Sequence, residues 1–310
     1  MVSDRLCISF LLQKKGMVII MKTKRWGTGT LSKMVYLVPA VLLMAVFFVW
    51  PIILTIYYSF TNLALTGSAV ANQQFVGLAN YKRMFSDSAV QISIVTTLVF
   101  LVGSVVGQTV LGFLIAFMMK SKHKTFRRVV GSVVLAGWVM PETVAAICAY
   151  TFFTDKGTFN AILNFFHIGS VSWLFSLPLL SVVLANIWHG TAFSMMVYQS
   201  ALDNVPGDVV ESAKIDGAGK WQTLFHITIP IIKDTMMTNT MLITLSTLGT
   251  FGMVYTMTGT TVQTLPIFMY IRAFKNYELG YGTAISMLVL LIGVVFSIFY
   301  VKLQGKKMED

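Results

Sequence analysis

Six long apolar stretches dominate this chain, at roughly residues 34–60, 91–119, 129–153, 173–199, 229–255 and 281–301. Each reaches the ~20 residues that an α-helix needs to cross the hydrocarbon of a bilayer. Each is also too long and continuous for an ordinary core helix. A helix bonds its own amides and carbonyls, so such stretches read as membrane-spanning helices. Charged residues make up 11% of the chain, against about 25% in a soluble domain. The expected fold class is an all-α polytopic membrane protein with six transmembrane helices. Pro39, Pro51, Pro141, Pro178 and Pro230 fall within or at the ends of these stretches, where neighbouring helices can satisfy the carbonyls a proline frees.

Lys and Arg set the orientation. With the N-terminus inside, the inner segments hold Arg5, Lys14, Lys15, Lys22, Lys24, Arg25 and Lys33, then Lys120, Lys122, Lys124, Arg127 and Arg128. They also hold Lys214, Lys220 and Lys233, then Lys302, Lys306 and Lys307, so that 18 of the 23 basic residues lie inside. Only Lys82, Arg83, Lys156, Arg272 and Lys275 fall outside. Both termini are therefore expected in the cytoplasm. The net charge of +11 sits in short clusters between apolar runs, which excludes a nucleic-acid face.

The chain divides into a basic cytoplasmic leader over 1–33, a transmembrane domain over 34–303 and a short tail over 304–310. The leader contains the apolar run CISFLL, which is too short to span and has no small-residue cleavage site after it. A natural start at Met17 or Met21 is the favoured reading of that segment, with a signal peptide as the alternative. Cys7 and Cys148 form no framework, and the four histidines show no HExxH or paired spacing, so no metal site is expected. GxxxxGK[ST] is absent, so the chain is not expected to bind ATP. Acidic residues are too few and scattered for a proton relay, which argues against a secondary carrier.

The polar segment 206–230 between the fourth and fifth stretches is patterned. Pro206-Gly207 ends the fourth helix, and Asp208 with Glu211 three residues on suggests a capping box. Val209, Val210, Ala213 and Ile215 alternate with Glu211, Ser212, Lys214 and Asp216 as in a two-turn, two-sided helix. Gly217 follows where a left-handed C-terminal glycine belongs. A second short helix over 219–226, with Trp221, Leu224 and Phe225, is expected before Ile227-Thr228-Ile229-Pro230. The result is an elbow whose apolar side chains call for a partner.

That segment resembles the cytoplasmic box of ABC importer permeases: EAA, three residues, Gly, nine residues, Ile-x-Leu-Pro. Here it reads Glu211-Ser212-Ala213, three residues, Gly217, nine residues, Ile227-Thr228-Ile229-Pro230. Asp216, Ala218, Trp221, Gln222 and Phe225 are similar to the carbohydrate-uptake branch, the maltose and glycerol-phosphate type. The likeness spans about 34–303 and includes Gly77-Leu78-Ala79-Asn80-Tyr81, Thr247-Leu248-Gly249, Phe251, Tyr255 and Gly280-Tyr281-Gly282. After the fifth helix, Thr258-Gly259-Thr260-Thr261-Val262 departs from the family's TxGGP.

The resemblance implies the type I importer permease fold and a bacterial cytoplasmic membrane location. It also implies the first permease of a heterodimeric pair, with two copies of a cytoplasmic ATPase and an extracellular or lipid-anchored solute-binding protein. ATP and Mg²⁺ would then belong to the ATPase subunits and no cofactor to this chain. Glu211, Ser212, Ala213, Asp216, Gly217, Ala218, Ile227 and Pro230 would form the ATPase-coupling element. The cargo expected is a sugar or oligosaccharide. Glycerol-phosphate or polyamine is the alternative, although phosphate would call for a central Arg that no stretch contains.

Polar residues within apolar spans are functional suspects. Asn186, Trp188, His189, Gly190 and Phe193, in the fourth stretch, mix aromatic faces with hydrogen-bonding groups. By resemblance, His189, Gly190 and Phe193 are expected to touch substrate, together with Thr247, Thr250 and Glu142. For Glu142 a helix-start role, and for His189 an inter-helix hydrogen bond, are the competing structural readings. Trp138 and Trp173 read as interfacial anchors, and the 19 methionines as adaptable packing.

Overall fold

A computed structural model describes residues 30–67 and 72–305, so the leader up to residue 29, residues 68–71 and the last five residues lie outside the described residues. The chain falls into two units, divided at Ile52. In the first, α1 (Thr30–Met44) passes through one π-turn at Ala45–Val49 toward α2 (Trp50–Ser59). Pro51 accounts for the turn. It lacks the amide that would bond the carbonyl four residues back, and its ring crowds that carbonyl. The amide of Trp50 bonds Ala45 instead, five residues back. The same device recurs at Leu224–Thr228, two residues before Pro230, where the amide of Ile229 reaches Leu224.

The second unit contains α3 (Ala79–Ser86), α4 (Ser88–Lys120), α5 (Lys124–Val139), α6 (Glu142–Phe153), α7 (Thr158–Phe165) and α8 (Trp173–Ser176). There follow α9 (Pro178–Asp203), α10 (Gly207–Ile215), α11 (Lys220–Thr223), α12 (Ile229–Leu248), α13 (Gly252–Thr258), α14 (Leu265–Tyr270) and α15 (Leu279–Gly305). Four helices are long and apolar enough to span alone, at 36–59, 88–120, 178–203 and 279–304. Two bent pairs bring the total to six if each is one span: 124–139 with 142–165, bent by 101°, and 220–248 with 252–258, bent by 49°.

Three of the expected stretches therefore need correction. The stretch 129–153 is not one helix, because Pro141 holds Met140 in the extended region (φ −60°, ψ 138°) and so ends α5. The stretch 229–255 is broken at Gly249–Phe251. The fourth span begins at Pro178 rather than 173, after a break at Leu177 (φ −133°).

Helix α9 is central and packs along α4, α5 and α12. Two apolar clusters flank its midpoint. One gathers Phe100, Ala146, Phe153, Val182, Val254 and Met257; the other gathers Met119, Met195, Tyr198, Leu202 and Ile232. A third, with Met84, Val90, Leu265, Phe268 and Ile285, ties α3 and α4 to α14 and α15.

The motif residues at the end of the molecule away from 206–230 prove to be joints. Asn80 donates to the carbonyls of Ser59 (2.9 Å) and Thr61 (2.8 Å), carbonyls left open where α2 ends. Tyr281 donates to Asp87, which also pairs with Arg272 at 3.2 Å, while Arg83 forks onto Glu278 at 2.9 and 3.1 Å.

Candidate functional site

Between the two clusters flanking α9, residues of α4, α5, α6, α9, α12 and α13 enclose a cavity of about 350 Å³. That is within the range of small-molecule sites. Glu142, His189, Gly190, Phe193, Thr247 and Thr250, named from sequence on three separate stretches, all line it.

Glu142 stands where both broken spans break. It is the first residue of α6, and its Oε1 accepts the amide of Met253 at 2.9 Å, in the first turn of α13. A carboxylate there satisfies an orphan amide and opposes the positive end of that helix. Glu142 thus begins a helix and lines the cavity. His189 lines the cavity as well, and its Nε2 lies 3.4 Å from the carbonyl of Met140 in the other break. Gly190 lets α4 approach closely, because a methyl group there would displace the terminal amide of Gln108. Gln108 donates to the carbonyl of Asn186 at 3.2 Å, bridging α4 to α9.

Gln108, Asn186 and Trp138 also line the cavity, and of these only Asn186 was a suspect from sequence. Gln108 lies in the middle of an otherwise apolar stretch, and a buried amide there was its available signal. Asn186 is buried beside it, with its side-chain nitrogen unpartnered. Trp138 is not an interfacial anchor: it lines the cavity and stacks on Phe193, with centroids 5.9 Å apart at 30°. Trp173 packs against the first apolar cluster, and its Nε1 donates to Asn160 at 3.1 Å. Trp188 does not line the cavity; it lies against Gly137 of α5.

The elbow follows the C-terminal end of α9. Helix α10 ends in a left-handed turn at Gly217, φ +85°. The amide of Ala218 bonds the carbonyl of Ala213 at 2.9 Å and that of Gly217 bonds Lys214 at 3.1 Å. This pair of bonds is a Schellman turn. Two local expectations fail. Helix α10 begins one residue before Asp208, so Asp208 lies inside the first turn and no capping box with Glu211 forms. The segment 219–226 is not a separate second helix; α11 continues through the π-turn into α12. Its start is closed by Gln222, whose side chain accepts the amide of Gly219 at 2.9 Å.

Ala213 and Leu224 are buried, while Ile215 is 85%, Trp221 70% and Phe225 58% exposed. Trp221 and Phe225 stack on each other. Glu211, Ser212, Asp216, Gly217 and Pro230 are exposed, and Ala218 and Ile227 half-buried. Neither Glu211 nor Asp216 forms an ion pair among the described residues. The elbow therefore turns one small apolar face inward and a larger apolar and acidic face outward.

A helical membrane body holding a central cavity and a rigid elbow at one end is the architecture of a transport permease. Residues 108–308 match the family described as binding-protein-dependent transport system inner membrane component, and the chain belongs to that family. It is 30% identical over 280 residues to the trehalose/maltose transport system permease protein MalF of Thermococcus litoralis, covering 87% of this chain and 93% of the relative. It is 29% identical to the multiple sugar-binding transport system permease protein MsmF of Streptococcus mutans, covering 91% and 96%. A solved bacterial alginate ABC transporter, in complex with an alginate pentasaccharide-bound periplasmic protein, contains a chain of the same fold: TM-score 0.73, 19% identity, covering 87% and 92%. The chain is thus a multi-pass permease subunit of an ABC importer, and ATP hydrolysis is the work of separate subunits.

Proposed function

We propose that this permease forms half of the path of an ATP-driven sugar importer in a bacterial cytoplasmic membrane. In this reading the elbow, Glu211 to Ala218 with Ile227 and Pro230, docks into a cytoplasmic ATPase subunit. Two ATPase copies bind the ATP and Mg²⁺, a second homologous permease completes the path, and a solute-binding protein delivers cargo from outside. The observation that carries the coupling role is the Gly217 turn, which fixes α10 as a rigid lever with Ile215, Trp221 and Phe225 uncovered. Closure of the ATPases would move that lever as a body and reorient the helices around the cavity. The excess of basic residues at the elbow end supports placing it, and both termini, in the cytoplasm.

A sugar is supported by the cavity wall, where the stacked Trp138–Phe193 pair stands beside amide, imidazole and carboxylate groups. Relatives named for trehalose, maltose and other sugars agree with it. Glycerol-phosphate is the weaker reading, since among the described residues no Lys or Arg lines the cavity.

Pull-down of the full chain from its native membrane, with mass spectrometry, should recover an ATPase and a second permease. Recovery of the chain alone would overturn the reading. Gly217→Asp should leave the chain in the membrane and abolish uptake. A side chain at this φ costs roughly 1–2 kcal/mol, enough to deform the lever without preventing insertion. Normal uptake by that variant would remove the coupling assignment.

A further inference from the structure

Where α9 runs into the elbow, one cation is held by two groups of that helix. Arg127, in the first turns of α5, pairs with Asp203 through Nη2 and Oδ2. With the Gln199 amide oriented to set its oxygen, and not its nitrogen, against the guanidinium, that oxygen accepts from Nη2 at 2.8 Å and from Nε at 3.1 Å. Gln199 and Asp203 are four residues apart in α9 and so share a face. A planar guanidinium can serve both acceptors at once, which the point charge of a lysine cannot. Both charges have the wrong sign for their own helices. Arg127 stands at the positive end of α5, and Asp203 is the last residue of α9, at its negative end. Neither charge stabilises the helix that carries it; each finds its compensation across the α5–α9 contact. Arg127 belongs to the basic cluster Lys120, Lys122, Lys124, Arg127 and Arg128. Among the described residues it is the member that pairs with a carboxylate. A role in membrane orientation would need the charge but no such partner.

The position of this contact gives it a use. Asn204, Val205 and Pro206 alone separate Asp203 from α10. Val205 is buried, and with Val210 of α10 it joins the apolar cluster that Val130 and Val134 of α5 pack against. Apolar contact has no preferred direction, and lipid is as apolar as valine, so such packing does little to stop α5 sliding along α9. An exposed ion pair adds little stability, but a fork on two acceptors fixes register. The far end of α5 carries Trp138, stacked on Phe193, and leads to Met140, whose carbonyl faces His189. We infer that Arg127, with Gln199 and Asp203, is a positioning clamp: it makes α5 move with α9, so that displacement of the elbow reaches the broken span. The inference rests on the coupling role of the elbow.

The test is a pair of distances in the whole importer, held in lipid nanodiscs with its ATPase, second permease and binding protein. Spin labels are placed through Asp208→Cys on the elbow, or Val133→Cys on the exposed face of α5, each with Leu291→Cys on α15 as reference. Cys7 and Cys148 are replaced by serine. Electron–electron double resonance is recorded without nucleotide and after trapping with Mg-ATP and vanadate. Without the clamp substitutions, trapping should shift both distances. Arg127→Ala should keep the elbow shift and lose most of the α5 shift. Gln199→Leu, which leaves both charges in place, should lose part of it, and it serves as the test if Arg127→Ala fails to co-purify with its partners. Exchanging the charges, Arg127→Asp with Asp203→Arg, should restore the α5 shift, since Gln199 can turn its amide nitrogen toward the new carboxylate. A purely structural role would lower the melting temperature and leave the two shifts together. Full shifts of both labels in Arg127→Ala, or in Gln199→Leu where that variant stands in, overturn the inference and leave the coupling role intact, as does an exchange that restores nothing. If trapping moves neither label in the chain with an intact clamp, the coupling reading fails and this inference with it.

Discussion

The fourth and sixth spans have equal length and opposite surroundings. In Pro178–Asp203 half of the most apolar window is buried within the chain, and its mean hydropathy is 1.4; in Leu279–Gln304 the figures are 11% and 2.7. The more apolar helix is the less buried one. In a soluble protein the order would be reversed. Here hydrocarbon is the outer solvent, so lipid-facing positions are the most apolar. Interior positions carry the small and polar groups that let helices approach and bond one another. Along α9, Ser181, Asn186, Thr191 and Ser194 are buried. Along α15, Leu290, Leu291, Val294, Val295, Ile298 and Phe299 are exposed. Apolarity therefore locates a span, whereas its polar residues locate the interior.

Substitutions in these helices and in α12, which packs on α9, can break or sharpen this contrast. The largest effect is expected for Gly190→Leu, which forces a side chain into the Gln108 amide at the α4–α9 seam. Overpacking of this kind costs roughly 3 kcal/mol, and thermal melting of the purified chain in detergent should show a large loss of folded protein.

Next is Asn239→Leu on α12. Asn239 is fully buried and donates to Ser194 (3.1 Å) and Tyr198 (2.9 Å) of α9. Inter-helix hydrogen bonds in membranes are worth about 1 kcal/mol, so the melting temperature should fall measurably although the new residue is more apolar. An unchanged or raised melting temperature would mean that the polar seam does not hold α9 in place.

The smallest effect is expected for Leu291→Ala on the exposed face of α15. It should change stability by less than about 0.5 kcal/mol, as for an ordinary surface position. A loss as large as that of Asn239→Leu would show that this face is covered by protein in the purified state.

Some of the architecture could be read directly because its causes are local. Long apolar stretches must become spans, and a glycine after a two-sided helix at 207–216 must turn. What was misread depended on neighbours distant in sequence. Asp208 and Glu211 have the spacing of a capping box, yet the helix starts at Gly207. The residues 219–226 look like a separate helix, yet nothing stops them from continuing into α12. In sequence Trp138 reads as a membrane-surface anchor, because composition cannot distinguish an aromatic at the interface from one facing a cavity. The break at Gly249–Phe251 has no proline to announce it. It is held by Glu142, 111 positions earlier, which offers an acceptor to the Met253 amide.

By itself the sequence determined that the chain is a bundle of membrane helices with a glycine-ended elbow, because hydropathy and backbone conformation act over a few residues at a time. Only the tertiary structure decided that Gln108, Trp138, Glu142, Asn186 and His189 share one cavity, and that two helices break beside it. That outcome depends on how α4, α6, α9 and α13 pack, since packing alone brings together residues far apart in the chain and leaves the Asn186 donor unpaired.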